Sequence, residues 1–163
     1  MGVDELASRL SDCRLILLDT MVFSYHLSNH PRYAPLTTVI LEAVESGKLA
    51  GVTTTLTLAE VLTVPAKAGN RQAAQDYEIY ITGFPHLILL PLDAALARET
   101  AWVRASSGLR TPDAIQVAAA RLAGADAIVT NDRRWVGHVP TPALLMLDDY
   151  AAGNPLADGK GLP

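Results

Sequence analysis

The sequence predicts an α/β protein: an α/β/α sandwich in which helices cover both faces of a mostly parallel sheet of four or five strands. Three observations predict it. Short runs at residues 14–18, 49–53, 86–90 and 127–130 are too brief for helices and largely apolar without alternation, as strands buried on both faces are. Segments of helical length and punctuation separate them, which implies right-handed crossovers between parallel strands. Half of the 163 residues are apolar, enough to bury one good core and hardly two, so one domain is expected over residues 1–150.

The first strand, 14–18, is closed by Asp19-Thr20, a turn or cap pair, and a short helix over 20–27 ends in the breaker cluster Ser28-Asn29-His30-Pro31. A second helix follows Pro35 through Val44 and ends at Gly47. After the strand at 49–53, the threonines at 53–55 offer an N-cap to a helix over 56–64, stopped near Pro65 and Gly69. A helix over 71–82 ends at Gly83. The third strand, 86–90, ends at Pro91, and Leu92-Asp93 opens a helix that runs to about residue 107, before Gly108. Thr111-Pro112-Asp113 reads as a helix start, with threonine as N-cap, proline at N1 and an acid at N2, for a helix reaching Leu122 and ending at Gly124. The strand at 127–130 follows, and a weaker fifth at 144–147. From 151 to 163 the composition turns to Gly, Asn, Pro, Asp and Lys, so a flexible tail is expected there.

A formal net charge of −4 gives no global positive field, so any contact with nucleic acid must be local. Arginines cluster modestly, at Arg133-Arg134 beside Asp132 and at Arg104 and Arg110 before Asp113. Each suits an ordinary surface arginine, and Arg133 and Arg134 are candidates for phosphate contacts. The single cysteine, Cys13, rules out an internal disulfide framework, and no cysteine-histidine spacing resembles a zinc site, as fits a reducing cytoplasm. The apolar run 15–18 is cut by Asp19, too short for a membrane span and wrong for a signal peptide, so a soluble, cytoplasmic protein is expected.

In parallel sheets of this kind ligands bind beyond the carboxyl ends of the strands. Asp19 and Asp132 both fall there. Alone, Asp19 also suits a helix N-cap and Asp132 an Asx turn or cap, a turn that Asn131 could share. Glu60 has Leu56 and Val64 at i−4 and i+4, a stripe that points it towards a partly enclosed space, although a half-exposed helix acid fits equally well. Asp113 stands where the helix macrodipole welcomes an anion, and the small apolar run from Ala114 to Ala120 packs that helix tightly on the sheet with its first turn near the strand ends. Gln116, one turn on, is within reach of the same place, although a glutamine facing solvent is the more ordinary expectation. Asp126 lies at the other end of its strand and is left out.

Each acid has a structural explanation of its own, yet this topology converges all four on one edge of the sheet. Like charges so placed raise one another's pKa and oppose folding unless a cation neutralises them. Oxygen-only ligands suit magnesium or manganese, and an ion so held activates water and stabilises charge at a phosphodiester. Hydrolysis of a nucleic-acid backbone is the expected chemistry.

The segments Leu17-Leu18-Asp19-Thr20, Thr57-Leu58-Ala59-Glu60-Val61, Leu109 to Ala120 and Val129-Thr130-Asn131-Asp132 together resemble the PIN-domain ribonucleases in order, spacing and type, over a core of about 14–148. The resemblance implies a PIN-like α/β/α sandwich in which Asp19, Glu60, Asp113 and Asp132 are catalytic and bind Mg2+ or Mn2+ for endonucleolytic cleavage of RNA, with Asp19, Asp113 and Asp132 as the metal ligands and Thr20, Thr130 and Asn131 in support. The size is similar to that of VapC-type toxins of toxin-antitoxin modules. That likeness implies a homodimer held inactive by a small antitoxin. Alternatives are a non-catalytic, partner-binding PIN-like module and a housekeeping PIN ribonuclease outside any such system. A phosphate-accepting receiver domain lacks its lysine after a late strand, and an aspartate-nucleophile phosphatase lacks Asp-x-Asp after the first strand, where Thr20 and Met21 follow Asp19.

Overall fold

The computed structural model describes residues 2–151. Its centre is a five-stranded sheet with every neighbouring pair parallel, β1 (Leu15–Leu18), β2 (Ala50–Thr54), β3 (Leu87–Leu90), β4 (Ala127–Thr130) and β5 (Ala143–Met146), in the order β3-β2-β1-β4-β5. The chain builds outward from β1 to β2 and β3, then crosses back to add β4 and β5 on the other side. The strand order therefore reverses at β1, and the crevice at the carboxyl ends of β1 and β4 is the switch point where doubly wound sheets bind ligands.

Side-chain alternation divides the core in two. Ile16 and Leu18 of β1 and Val129 of β4 face a layer made by α1 (Gly2–Ser11), α2 (Thr20–Leu27), α3 (Ala34–Glu45), α4 (Thr55–Lys67) and α5 (Arg71–Thr82). Leu17, Val52 and Ile128 face α6 (Ala94–Ser107) and α7 (Thr111–Ala123). In α7 the residues from Ala114 to Ala120 are all buried, and its alanines let the helix axis approach β1 and β2 closely. Gly108 and Gly124 end α6 and α7 in left-handed conformations, both at φ 71°, where a side chain would be strained. Among the described residues no helix is long and apolar enough to cross a membrane.

Several boundaries differ from the expected ones. α4 does not stop near Pro65 but continues to Lys67: a proline in the last turns forfeits one backbone bond, and the Pro65 ring is buried. α7 begins one residue early, with Arg110 in the cap position and no side-chain cap bond, so Pro112 is at N2 and Asp113 at N3. Proline is tolerated there because N–H groups of the first turn lack intrahelical partners anyway. The fifth strand is Ala143–Met146, and Leu147 instead opens a short helix, α8 (Leu147–Tyr150). The sequence reading placed no element before residue 14, yet α1 buries Leu6 and Leu10, one turn apart, beside α3 and α8. Of the tail expected at 151–163, Ala151 is buried in the core, and the rest lies outside the described residues.

Asp126 sits at the end of the sheet remote from the crevice, as expected. Its Oδ2 accepts from the backbone N–H groups of Arg14 at 2.7 Å and Leu15 at 3.1 Å, joining the start of β4 to the start of β1. Those two bonds hold the Asp126 carboxyl below its ordinary pKa. A depressed carboxylate contributes stability above its unfolded pKa and loses it as pH falls through the folded one. Asp126→Ala is expected to cost about 0.5–1 kcal/mol at neutral pH, discounted for the exposed position, and less as pH falls below about 3.5. Urea unfolding of both proteins across that range checks it.

Candidate active site

The crevice is a cleft of about 490 Å3 whose walls include Asp19, Thr20, Glu60, Asp113, Asp132 and Arg134. Four segments supply them, because α2 and α4 follow the ends of β1 and β2 with little or no loop, the 3₁₀ turn Arg133–Trp135 follows β4, and α7 lays its first turn across the same edge.

Asp19 is the innermost acid, only 7% exposed. It caps α2: Oδ1 accepts from the Thr20 N–H at 2.8 Å, and Oδ2 accepts from Thr130 Oγ1 at 2.8 Å. Burial pushes its carboxyl up to about 6 against the lowering effect of those bonds, and the charges of Glu60 and Asp113 add a smaller upward push. Asp132 is shallower. Its Oδ1 accepts from the Arg134 N–H at 3.0 Å and caps the 3₁₀ turn, while the Arg134 guanidinium grips both oxygens and holds its carboxyl below the usual range. Asp113 Oδ2 lies 3.5 Å from Arg110 Nε and 4.0 Å from Arg134 Nη2.

Glu60 is exposed on the cleft's rim and accepts from Thr20 Oγ1. It faces the partly enclosed cleft and is still an exposed helix acid; Val64, one turn on, is 69% exposed, and the Thr20 hydroxyl orients the carboxylate. Asn131 does not share Asp132's turn: its Oδ1 accepts from the Asp148 N–H at 2.8 Å and ties the β4 end to α8. Arg133 turns away from the cleft, with Nη2 3.1 Å from Asp149 Oδ1 and Nε 3.7 Å from Asp148 Oδ2.

Beneath the acids runs a buried polar network of residues that the sequence offers only separately: Thr20 beside Asp19, Thr53 and Thr54 as caps, Thr57 one turn before Glu60, and Gln116, which is buried and not turned to solvent. Thr53 Oγ1 donates to the Leu18 carbonyl at 2.9 Å and lies 2.9 Å from the Thr57 hydroxyl. Gln116, 2% exposed, donates from Nε2 to Thr57 Oγ1 at 2.8 Å and accepts at Oε1 from Thr54 Oγ1 at 3.2 Å. Thr57 Oγ1 is 3.2 Å from Thr20 Oγ1, which reaches Glu60. The network locks the ends of β1 and β2 and the starts of α2 and α4 into one unit.

A family model for the PIN domain matches residues 16–138, most of the chain and all four acids. The chain belongs to the PIN-domain family. No curated protein matches the sequence. Solved structures share the fold of this PIN domain at low identity. VapBC2 from Rickettsia felis, solved bound to a DNA fragment from their promoter, has a TM-score of 0.63 at 17% identity over 81% of this chain and 98% of that one. FitAcB from Neisseria gonorrhoeae has 0.58 at 19%, over 81% and 97%. VapC20 from Mycobacterium tuberculosis, a Sarcin-Ricin loop cleaving toxin, has 0.57 at 17%, over 76% and 96%.

The donors that this PIN domain turns into the cleft are all oxygen, the chemistry that suits a hard dication such as Mg2+ or Mn2+. They are not a ready-made cage: among the described residues no group of three or more His, Cys, Asp or Glu is disposed to hold a metal ion.

Between the ordinary aspartate pKa of about 3.9 and 6, folded Asp19 keeps a proton that the unfolded chain has lost, so stability falls as pH rises through that window. The penalty is fully present at pH 7. Asp19→Asn, which keeps both hydrogen bonds once the Thr130 hydroxyl turns, is therefore expected to raise metal-free stability at pH 7 by on the order of 1–3 kcal/mol and to flatten its pH dependence between 4 and 6. Chemical denaturation in chelator measures both effects.

Proposed function

We propose that this PIN domain is a metal-dependent endoribonuclease that hydrolyses RNA phosphodiester bonds, the toxin of a toxin-antitoxin module. The observation that carries the reading is the shared cleft: Asp19, Glu60, Asp113 and Asp132 come from four separate segments and line one hollow at the switch point of the sheet. Family membership and the fold likeness to VapBC2, FitAcB and VapC20 support it.

In this reading Asp19, Asp113 and Asp132 hold Mg2+ or Mn2+. When bound, the ion supplies Lewis acidity towards the phosphodiester and lowers the pKa of water. The chain's own residues do the rest. Thr20 and Thr130 fix the Asp19 carboxylate from opposite sides, and Asn131 fixes the backbone from which Asp132 projects. Glu60, on the open rim and aligned by Thr20, is placed to take a proton from attacking water. Arg110 and Arg134 are the cationic groups at the mouth, so the RNA backbone contacts fall to them and not to Arg133. A small antitoxin partner, a homodimer and a cytoplasmic location complete the proposal; a housekeeping ribonuclease of the same chemistry differs only in lacking that partner.

One observation favours the non-catalytic alternative: Asp132 and Asp113 already have arginine partners, as a binding module's would. The assay separates the two. The purified chain, freed of partners, is expected to cleave single-stranded RNA with Mn2+ or Mg2+, to stop in chelator, and to lose roughly 100-fold or more of its rate in Asp19→Asn and Asp113→Asn variants that keep their fold. Equal cleavage in chelator, or by those variants, overturns the mechanism; no cleavage in any metal favours the binding module.

A further inference from the structure

Arg134 projects from the 3₁₀ turn directly after Asp132 and folds back over it. Its Nε stands 2.8 and 3.0 Å from the two Asp132 oxygens, and Nη2 makes a short contact with Oδ2 while reaching to 4.0 Å from Asp113 Oδ2. One guanidinium thus spans two of the three carboxylates assigned above to a dication. The third, Asp19, is satisfied by Thr20 and Thr130 and touches no arginine. Arg110 pairs with Asp113 from another side but bridges no second acid.

We propose that Arg134 is a built-in counter-ion, occupying the cation's place between Asp132 and Asp113, and that a divalent ion binds only by displacing it. The inference rests on the metal-dependent reading of this cleft and adds to it a residue that competes with the ion.

The geometry argues for displacement, not for a permanent structural pair. The Arg134 side chain is 58% exposed against 14% for Asp132 and 16% for Asp113, so it can swing into solvent while the acids stay in place. Asp132 does not depend on it for position, since the Arg134 backbone N–H and the 3₁₀ cap hold that carboxylate whatever side chain residue 134 carries. A guanidinium remains charged at any working pH, so it leaves by rotation and not by losing a proton. With it folded down, both Asp132 oxygens are engaged by the guanidinium. The apparent dissociation constant for the metal is then the intrinsic one divided by the fraction of chains with Arg134 turned out.

The test is calorimetric titration of Mn2+ into the metal-free full chain, comparing the natural sequence with Arg134→Gln and Asp113→Asn, with circular dichroism in chelator to verify folding. Arg134→Gln is expected to bind Mn2+ about 3–10-fold more tightly, the gain set by a partly exposed ion pair no longer competing, and Asp113→Asn more weakly or not at all. Should Arg134→Gln fail to fold, Arg134→Lys, which keeps the charge without the two-pronged grip, is expected to bind about 2-fold more tightly. Unchanged or weaker Mn2+ binding in the folded Arg134 variant, with natural-chain binding that Asp113→Asn abolishes, overturns the counter-ion and leaves the metal-dependent reading intact. No Mn2+ binding by the natural chain or by the Arg134 variant overturns both.

Discussion

A carboxylate sealed at the end of the central strand is the constraint around which the cleft is arranged. β1 has strands on both sides, so the group that follows it is hemmed in by the end of β4 and the start of α2 and keeps only a small exposed edge on the cleft. Its oxygens must then be met from within the protein, and only groups fixed by the sheet are placed to do so: the first N–H of a helix that begins without a loop, and the hydroxyl of the last residue of β4. Thr130 also accepts from the Asp132 N–H at 3.2 Å, so the residue that steadies the inner acid fixes the backbone of the outer one. On the other flank, Thr53, Thr54, Thr57 and Gln116 leave few polar atoms idle under the site. Removing one member of such a network strands its partners in a low-dielectric interior.

The acids solve their mutual repulsion by two different means. Asp19 is too deep for an arginine, and burial raises its carboxyl towards the neutral form. Asp132 and Asp113 are near enough to solvent for guanidinium groups to reach, and ion pairing keeps Asp132 ionised. The inner position thus carries a stability penalty at neutral pH while the outer pair are neutralised by partners that are themselves exposed. Groups whose environments push their pKa values apart, gathered in one hollow, are the pattern that functional sites show, and they support the role proposed for this cleft.

Much of this architecture was legible because it follows from rules that act locally. Continuous apolar runs identified the strands, and the carboxyl-end rule located Asp19 and Asp132 without knowledge of any side-chain contact. Where the reading went astray, the deciding interaction was tertiary. For Glu60 the apolar neighbours Leu56 and Val64 leave an inward and a half-exposed reading equally open, and what decides how it meets the cleft is a hydroxyl from another helix. Thr53 and Thr54 looked like cap residues, which Thr54 is; their second task, bonding to Leu18 and Gln116, depends on strand pairing that periodicity does not encode. Arg133 and Arg134 were treated alike because they are adjacent. A 3₁₀ turn sends them in different directions, one to Asp148 and Asp149 and the other to Asp132. α1, by contrast, was legible in principle: Val3, Leu6, Ala7 and Leu10 follow the i, i+3, i+4, i+7 spacing of an amphipathic helix ahead of the first strand.

The placement of positive charge bears on how a chain of net charge −4 meets an anionic polymer. The cations at the cleft mouth, Arg110 and Arg134, are bound to the same carboxylates that would hold a dication, so neither is free to meet a phosphate while the acids lack another partner. A dication taking the carboxylates would release guanidinium groups at the place where a phosphodiester must lie, and a phosphate taking the guanidinium groups would release carboxylates for the ion. Each exchange makes the other easier, and by linkage the coupling free energy is the same in both directions. Under the proposed function, affinity for the metal and affinity for the nucleic-acid backbone would then be one property of a four-charge cluster, whose short-range pairing would stand in for the long-range field that the chain as a whole does not have.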